Sequence, residues 1–373
     1  MVTGMMGMGL HRGGDPRSVM RDAVDVHRCL NGCDLSGADL AGEAYDVAML
    51  NSVRLAGARM ARGRWNKMTL VQCDCGDADL SQAGLSLSVF TLSRFERADF
   101  RGARLDGVMF VECALAGADF TGATLSRCNF ANCDLGGVSF RGAAMDNCTM
   151  LTCRLDGMDV SGAALSFMTL TEPDFTRLRF AGTRFHAIAA LKANLRGLSL
   201  AGLSLRQCTV MESDMEGVDL TGADITQSLF SKSNLRSTRL RGVQAMRCLF
   251  DEADLTGADL SGSMLAQSNF SGALLTGADL SRCNLEQAQF TGARAGGAVF
   301  AGSKLDAASL ANADVSGADL SGCTVALADL HGLTDTGALW AGTNRRKALD
   351  TDAEKLDAQS FIPRRRPGTA GRG

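Results

Sequence analysis

The sequence predicts an all-β solenoid of stacked four-sided coils, and three observations lead to that prediction. Large apolar residues occupy all but four of the 61 positions taken in steps of five from Leu30 to Leu330, with Cys accepted at one of these four and Ala at three. Two residues before each such position the side chain is usually small, and two residues after it Gly is favoured. Phe recurs every 20 residues, as at Phe90, Phe110 and Phe130. An internal repeat of this regularity sets the architecture of the whole segment.

A period of five matches neither the 3.6 residues of a helical turn nor the two-residue alternation of a strand. One large and one small inward side chain cannot close a core, so the units must stack on one another. Four units can form a square coil, with short extended segments as sides and Gly-tolerant turns as corners. Sides 1 and 3 are rich in Phe, so like residues are expected to stack between coils and fill the bore. We number the sides 1 to 4 after the large residues of one coil, which are Leu50, Leu55, Met60 and Trp65.

Several segments carry a family resemblance. The stretches "CDLSGADLAG", "GADFTGATL", "ADLTGADLSG" and "NADVSGADLSG" resemble the A(D/N)LXX units of the pentapeptide-repeat family, and units of this kind cover about four fifths of the chain. The resemblance implies a right-handed quadrilateral parallel β-helix. With strands about 4.8 Å apart and about 20 residues per coil, we expect about 15 coils and a rod on the order of 70 Å long.

The ends of the chain depart from the repeat. Asp15 is a plausible N-cap and Pro16 fits a first helical turn, with Val19, Ala23 and Val26 on one face. Such a helix would cover the exposed edge of the first coil. The predicted organisation is a disordered N-terminus, a short capping helix, the solenoid, a C-terminal cap or partial coil, and a disordered basic tail, over residues 1–14, 15–29, 30–334, 335–362 and 363–373 respectively.

One stretch inside the repeat is irregular. Pro173 occupies a small position, and Ala190 stands where a large residue is expected. Other small positions nearby hold large residues, namely Leu178, Ile188, Leu198 and Leu203. We expect a locally distorted coil around residues 171–205. Two explanations remain open, compensation of core volume and a functional kink.

The chain has 13 cysteines, which could suggest a metal site or disulfides. Neither their spacing nor the four scattered His residues match a zinc site. Many free thiols and the absence of a signal peptide or membrane-spanning stretch favour a reducing, cytoplasmic location. Eleven cysteines take the small inward position and are expected to be core fillers: Cys33, Cys73, Cys113, Cys128, Cys133, Cys148, Cys153, Cys208, Cys248, Cys283 and Cys323.

The sequence predicts no catalytic residue, no cofactor site and no metal site. The Asp residues before the large position, such as Asp79, Asp99 and Asp119, follow the family pattern, and a filled rod has no cleft where groups converge. The net charge of −3 and the lack of a basic stripe argue against nucleic-acid binding. We therefore expect a non-enzymatic protein with no small-molecule substrate and no membrane insertion.

The outward residues of side 1 form a candidate partner surface. From Met49 to Leu249 no residue flanking a large position on this side carries a charge, whereas the other sides carry Asp, Glu and Arg. A long uncharged surface suggests a contact with the protein's own tail, with a dimer mate or with another protein. The apolar members of this surface are Met49, Val71, Val89, Met109, Val111, Leu151, Leu191, Met211, Leu229 and Leu249.

Two functions are open. The first is a protein-binding scaffold or adaptor; the tail "ALWAGTNRRKALDTDAEKLDAQSFIPRRRP" is similar to pentapeptide-repeat proteins associated with bacterial type VI secretion, which implies an accessory role there. The second is a DNA mimic that binds and protects DNA gyrase, as some family members do. A mimic requires a field of one sign, yet several Arg residues interrupt the acidic side 3, among them Arg59, Arg101 and Arg141.

Overall fold

The computed structural model describes residues 15–25 and 29–352, and residues 29–352 form a parallel β-solenoid. Residues that pair between coils are 20 positions apart, as Leu50 and Leu70 are. Bridges at this spacing occur on all four sides, so the predicted four-sided coil is confirmed. The core is the bore of the rod, and it holds the residues of the large and small positions.

Three-residue strands form on two adjacent sides, in two nine-stranded parallel sheets. The strands of side 1 are Cys29–Asn31, Met49–Asn51, Thr69–Val71, Val89–Thr91, Met109–Val111, Asn129–Ala131, Thr149–Leu151, Thr169–Thr171 and Ala189–Leu191. The strands of side 4 are Ala44–Asp46, Arg64–Asn66, Gly84–Ser86, Arg104–Asp106, Thr124–Ser126, Ala144–Asp146, Ala164–Ser166, Arg184–His186 and the two-residue Leu205–Arg206.

Each sheet contains one strand per coil and has nine strands. The predicted count of about 15 coils is therefore wrong for the part of the rod that forms sheets. Beyond Arg206 the same 20-residue register continues as isolated bridges, for example from Leu229 to Leu249 and from Asp329 to Leu349. The five-residue pattern therefore specifies the register throughout, but not whether a side forms a strand.

The corners explain the preference for Gly two residues after the large position. From Gly32 to Gly342 every residue at this position except Arg177 has positive φ, as at Gly122 (φ 67°). Gly adopts this left-handed conformation without the steric cost that a side chain brings. The side chain that replaces Gly at many corners is usually polar, as at Gln82 and Asn132.

Two kinds of corner occur in the first nine coils. At the two corners that flank side 3, a turn bond closes the corner, as from the Ala98 N–H to the Phe95 carbonyl (3.1 Å). At the two corners that flank side 1, no such bond forms between residues 33 and 208. We call these the open corners. After residue 213 most corners of side 1 are closed as well, as by the Ser233 N–H bonded to the Phe230 carbonyl (3.2 Å).

Cysteine and serine complete the open corners. Ser93 accepts a hydrogen bond from the Cys73 N–H (3.1 Å) and donates to the Leu70 carbonyl (3.5 Å). The Cys73 thiol donates in the same way to the Leu50 carbonyl (3.4 Å). All 13 cysteines are free thiols, and the eleven predicted core fillers are buried except Cys153, which is half-buried, so that prediction is confirmed. Burial raises the pKa of Cys73 to about 11.

Phenylalanine rings stack along the bore as the 20-residue spacing predicts. The ring centroids of Phe100 and Phe120 on side 3 are 4.4 Å apart, with an interplanar angle of 2°. On side 1 the rings of Phe250 and Phe270 are 5.0 Å apart. Rings from opposite sides also touch, as Phe100 does Phe110 edge-to-face at 6.3 Å. The bore is thus filled by aromatic contacts within and between sides.

A helix, Pro16–Asp25, packs on the first coil. Asp15 caps it, accepting from the Arg17 N–H (3.2 Å). The buried anchor is Met20, with Val24 partly buried beside it. Of the predicted face, Val19 is half-buried, and the side chains of Ala23 and Val26 lie outside the described residues. A helical period places Met20 and Val24 one turn apart on the side facing the coil. Three ion pairs tie the helix to the rod: Arg17 pairs with Asp39 (3.2 Å) and Glu43 (3.6 Å), and Arg21 pairs with Glu43 (2.8 Å).

At the other end the pattern runs through Trp340 to a short 3-10 helix, Arg345–Lys347. The Arg345 guanidinium lies 4.9 Å from the centroid of the Trp340 ring and pairs with Asp335. The predictions for residues 1–14 and 363–373 lie outside the described residues. Those for 15–29 and 335–362 lie partly outside them.

Candidate protein-binding surface

The structure brings the ten predicted residues together on the outer face of side 1. Their backbones align in two columns, one of which runs from Met49 through Thr69 and Val89 to Met109. The other includes Val71 and Val111, separated by Thr91. None of the ten side chains is buried. Side 1 therefore presents a continuous β-surface to solvent.

This surface takes no part in the ion pairs that cover the other sides. Arg97 pairs with Asp77 of the preceding coil (2.6 Å), and Arg101 pairs with Asp99 of its own coil (2.6 Å). Within residues 15–25 and 29–352, no ion pair includes an outward residue of side 1 between Met49 and Leu249. The face is held by backbone pairing and by packing alone.

The corners beside side 1 add apolar residues that sequence reasoning missed. Between residues 29 and 207, every large apolar side chain that is exposed lies on side 1 or at one of its two corners. The predicted surface contains only residues that directly flank the large position. The signal available in the sequence was an apolar residue at a corner, where Gly or a polar residue is usual. The seven exposed residues are Val47, Met49, Leu87, Leu92, Met109, Phe167 and Leu191.

Three of these corner residues are costly for the fold. Leu87, Leu92 and Phe167 have φ between 49° and 51° and are 58%, 47% and 52% exposed. A left-handed conformation costs a residue with a side chain about 1–2 kcal/mol relative to the right-handed region. About half of each side chain stays exposed, so burial offsets only part of that cost, as where Phe167 packs edge-to-face on His186 (5.3 Å). Their presence is therefore not explained by stability.

The exposed residues are densest in the coils around residue 90. Leu87 lies over Gly107: a Cβ atom added at that glycine would be 3.0 Å from the Leu87 Cδ2 atom. Charged residues at the corners, Lys67, Glu112 and Arg127, border this region. We define the apolar cluster as Val71, Leu87, Val89, Leu92, Met109 and Val111.

The acidic residues of side 3 have a structural role. Asp279 accepts a hydrogen bond from the Ser281 N–H (2.8 Å), and Asp319 accepts one from the Ser321 N–H (2.9 Å). Hydrogen bonds from Ser321, first its side chain and then its backbone, lower the pKa of Asp319. The Asp that precedes the large position thus caps the following turn. This accounts for its recurrence without a binding role.

The described residues contain no group of three or more His, Cys, Asp or Glu side chains placed to hold a metal ion. Neither helix in that part of the chain has the length and apolar character that a membrane crossing requires.

A filled four-sided β-solenoid with one uncharged, apolar-rich face is a repeat protein whose outer surface, rather than a cleft, is available for contacts. The chain belongs to the pentapeptide repeat family. The family model "Pentapeptide repeats" matches in eight copies, over residues 73–110, 192–227, 213–251, 253–292 and 283–322. A second, "Pentapeptide repeat region", matches residues 123–199. Proteins of this family are generally structural or binding proteins rather than enzymes.

Solved structures of the family are similar to this chain at low identity. QnrB1, described as a plasmid-mediated fluoroquinolone resistance protein, is 20% identical over 61% of this chain and 91% of its own, with a TM-score of 0.32. HetL, a pentapeptide repeat protein involved in heterocyst differentiation in the cyanobacterium Nostoc sp. strain PCC 7120, is 19% identical over 86% of this chain and 91% of its own, with a TM-score of 0.17. No curated protein sequence matches the chain.

Proposed function

We propose that this chain is a non-enzymatic scaffold that binds another protein along side 1, with the apolar cluster at the centre of the contact. The observation that carries the proposal is the placement of Leu87 and Leu92, large apolar residues that are exposed at strained corners on both edges of the uncharged face. Residues that lower stability without serving the core are expected where binding is selected. Interface centres combine such apolar anchors with a lack of charge.

The shape of the surface favours an elongated contact. From Met49 to Leu249 it extends over about ten coils, or about 45–50 Å at 4.8 Å per coil. Polar Thr residues between the apolar ones, such as Thr91 and Thr169, keep the face soluble while it is free. The border charges Lys67 and Glu112 would form the polar rim of an interface.

The two finer functions remain predictions. An accessory role in type VI secretion depends on the C-terminal tail, most of which lies outside the described residues. Gyrase binding by DNA mimicry requires an acidic field, and the ion pairs of Asp99 and Asp119 with Arg101 and of Asp219 with Arg239 weaken that field on side 3.

The test is a quantitative pull-down from a lysate of the source organism with three purified proteins. These are the wild type, the variant Met109→Glu with Val111→Glu, and a matched control, Thr124→Glu with Ser126→Glu. The control pair flanks Leu125 on side 4 with the same outward geometry. Circular dichroism and thermal unfolding establish that all three are folded. The captured protein is then purified and its affinity measured directly.

We expect the side 1 variant to bind the partner at least about tenfold more weakly, because a contact would bury two unpaired carboxylates. The control should bind as the wild type does. Equal binding by all three proteins would contradict the proposal. Light scattering after size exclusion measures whether the protein self-associates. If the wild type is a dimer and the side 1 variant is a monomer, the partner is a second copy of this chain rather than another protein.

A further inference from the structure

The predicted distortion of the solenoid is confirmed, and it opens a gap in the backbone ladder. On side 2, Asp174 pairs with Asn194 but Arg154 does not pair with Asp174. On side 3, Asp159 pairs with Arg179 but no bridge joins Arg179 to Ser199. On side 2, the coil that contains residues 174–184 is therefore bridged only to the following coil. On side 3 it is bridged only to the preceding coil.

The gap on side 3 continues around the corner to side 4. Among the described residues, no backbone hydrogen bond joins residues 177–184 to residues 197–204. The ladder resumes where Phe185 pairs with Leu205. The small positions at these corners hold Leu178, Leu198 and Leu203 rather than Ala. Leucine is too large to tuck into a corner, which accounts for the separation of the two coils.

An apolar cavity of about 80 Å³ lies inside the rod at this level. Every residue that lines it is apolar, including Met168, Phe175, Phe180, Phe185, Ala190 and Leu205. The large residues around it are unusual: of all the large positions from 35 to 330, only Phe175, Phe180, Phe185, Leu205 and Val210 are incompletely buried. The enlarged small positions therefore do not fully replace the volume missing at Ala190. A cavity without polar partners stays free of water and accepts apolar ligands.

Two unpaired cations flank the gap. Arg179 lies at one end of the broken ladder and Arg184 at the other, both side chains are exposed, and neither has an ion-pair partner within residues 15–25 and 29–352. The surrounding sequence is one-sided in charge, because residues 175–211 contain six Arg or Lys and no Asp or Glu. This contrasts with the net charge of −3 for the whole chain. An anion at the gap would thus meet guanidinium groups, and the carboxylate bridged beside Arg179, that of Asp159, is already paired with Arg141 (3.1 Å).

We propose that this gap binds an alkyl carboxylate, with the hydrocarbon chain in the cavity and the carboxylate against Arg179 and Arg184. The planar guanidinium matches a carboxylate in geometry as well as in charge. The cavity is smaller than the roughly 150 Å³ that holds a benzene molecule. It therefore accepts the end of a short chain, and the remaining methylene groups occupy the gap. This site is independent of the partner surface on side 1.

The test measures sodium octanoate binding to the full chain by isothermal titration calorimetry and by the shift in melting temperature. Ala190→Leu restores the large residue of the repeat and fills the cavity. Arg179→Gln with Arg184→Gln removes the cations. The matched control is Arg241→Gln, an exposed arginine without an ion pair on side 3 in the regular part of the rod. The alcohol 1-octanol serves as an uncharged ligand of the same length.

We expect octanoate to bind the wild type and the Arg241→Gln control equally. Binding should weaken at least tenfold in Ala190→Leu, which should itself melt at a higher temperature because its core is better filled. The double arginine variant should lose its preference for octanoate over octanol. Octanoate that fails to bind, or that binds Ala190→Leu as well as the wild type, overturns the cavity site. Equal affinity of the wild type for octanol and octanoate overturns the role of the two arginines.

Discussion

The first nine coils, up to Arg206, and the coils that follow are built from the same five-residue pattern and yet differ in their corners. In the first region side 1 has open corners and forms a sheet of nine strands. In the second region most corners are closed by turn bonds, and the coils are joined by isolated bridges. A closed turn bonds its backbone N–H to a carbonyl of the same coil, whereas at an open corner that N–H can bond to a neighbouring coil.

This difference explains where the cysteines lie. Eight of the eleven small-position cysteines occupy open corners. In six of them the thiol donates to a carbonyl of the preceding coil, as the Ser93 hydroxyl does; these are Cys73, Cys113, Cys128, Cys133, Cys148 and Cys153. Alanine fills most of the closed corners in the same region, as at Ala98 and Ala118. The choice between Ala and Cys at a small position thus follows from whether a buried polar group needs a partner.

The two regions also differ at the surface. The first carries the exposed corner residues Leu87, Leu92 and Phe167 beside side 1. The corresponding corner in the second region holds a ladder of amides, in which Gln267 donates to Gln287 (2.8 Å), and an exposed large apolar residue returns there only near the end of the rod, at Leu327. A uniform core pattern therefore leaves the residues at the corners free to vary. The corner residues then distinguish a surface suited to contacts from one whose side chains bond to each other.

The largest effect is expected in the core. Phe270→Ala removes a ring that is fully buried and stacked on both neighbours, and should lower the free energy of unfolding by about 3–5 kcal/mol. Phe180→Ala, at the incompletely packed boundary between the regions, should cost less than about 2 kcal/mol, because part of its surface is already unburied. Urea unfolding of both variants checks the order. Equal costs would mean that the cavity is filled in solution.

The open corners give the next effect. Cys133→Ala removes the thiol that donates to the Phe110 carbonyl (3.4 Å), and should destabilise the protein by about 1–3 kcal/mol by leaving buried polar groups without a partner. Cys133→Ser should cost no more than about 1 kcal/mol, since Ser93 makes the same bridge at the equivalent corner two coils earlier. Thermal unfolding compares the two. If Ser were as costly as Ala, volume rather than hydrogen bonding would decide these positions.

A change at the surface should separate stability from binding. Leu87→Gly relieves the left-handed strain and should raise the free energy of unfolding by about 0.5–1 kcal/mol. The same change should weaken partner binding, because it removes an apolar anchor. Gln82→Gly, at a polar corner of side 3, has similar backbone geometry and serves as the control for binding. A stabilised variant that binds as the wild type does would remove Leu87 from the contact.

The smallest effect concerns acid. The pKa of Asp319 is lowered in the folded state, so its contribution is present above the unfolded pKa of about 3.9 and is lost as the pH falls below it. For a carboxylate this exposed, the contribution is a few tenths of a kcal/mol at most. Melting temperatures of wild type and Asp319→Asn between pH 3 and 7 should converge at the acid end. A constant difference across that range would rule out a charge effect.

Much of the site could be read from single residues. Met109 and Val111 were found because the five-residue register tells which residues point outward. Leu87 was not, since its exposure depends on the corner conformation and on the bare Gly107 beside it. The position of the helix also required packing, because the buried anchor is Met20, which the predicted face does not include.

The sequence by itself determined the four-sided coil, the 20-residue register, the stacking of Phe and the inward place of the cysteines, because each follows from a local pattern repeated without a break. The sequence also located the irregular stretch at residues 171–205, but only the tertiary structure decided which corners are open, which sides form strands and which bridges are lost near Arg179. Those features depend on hydrogen bonds and steric fit between residues about 20 positions apart, and a five-residue pattern does not contain them.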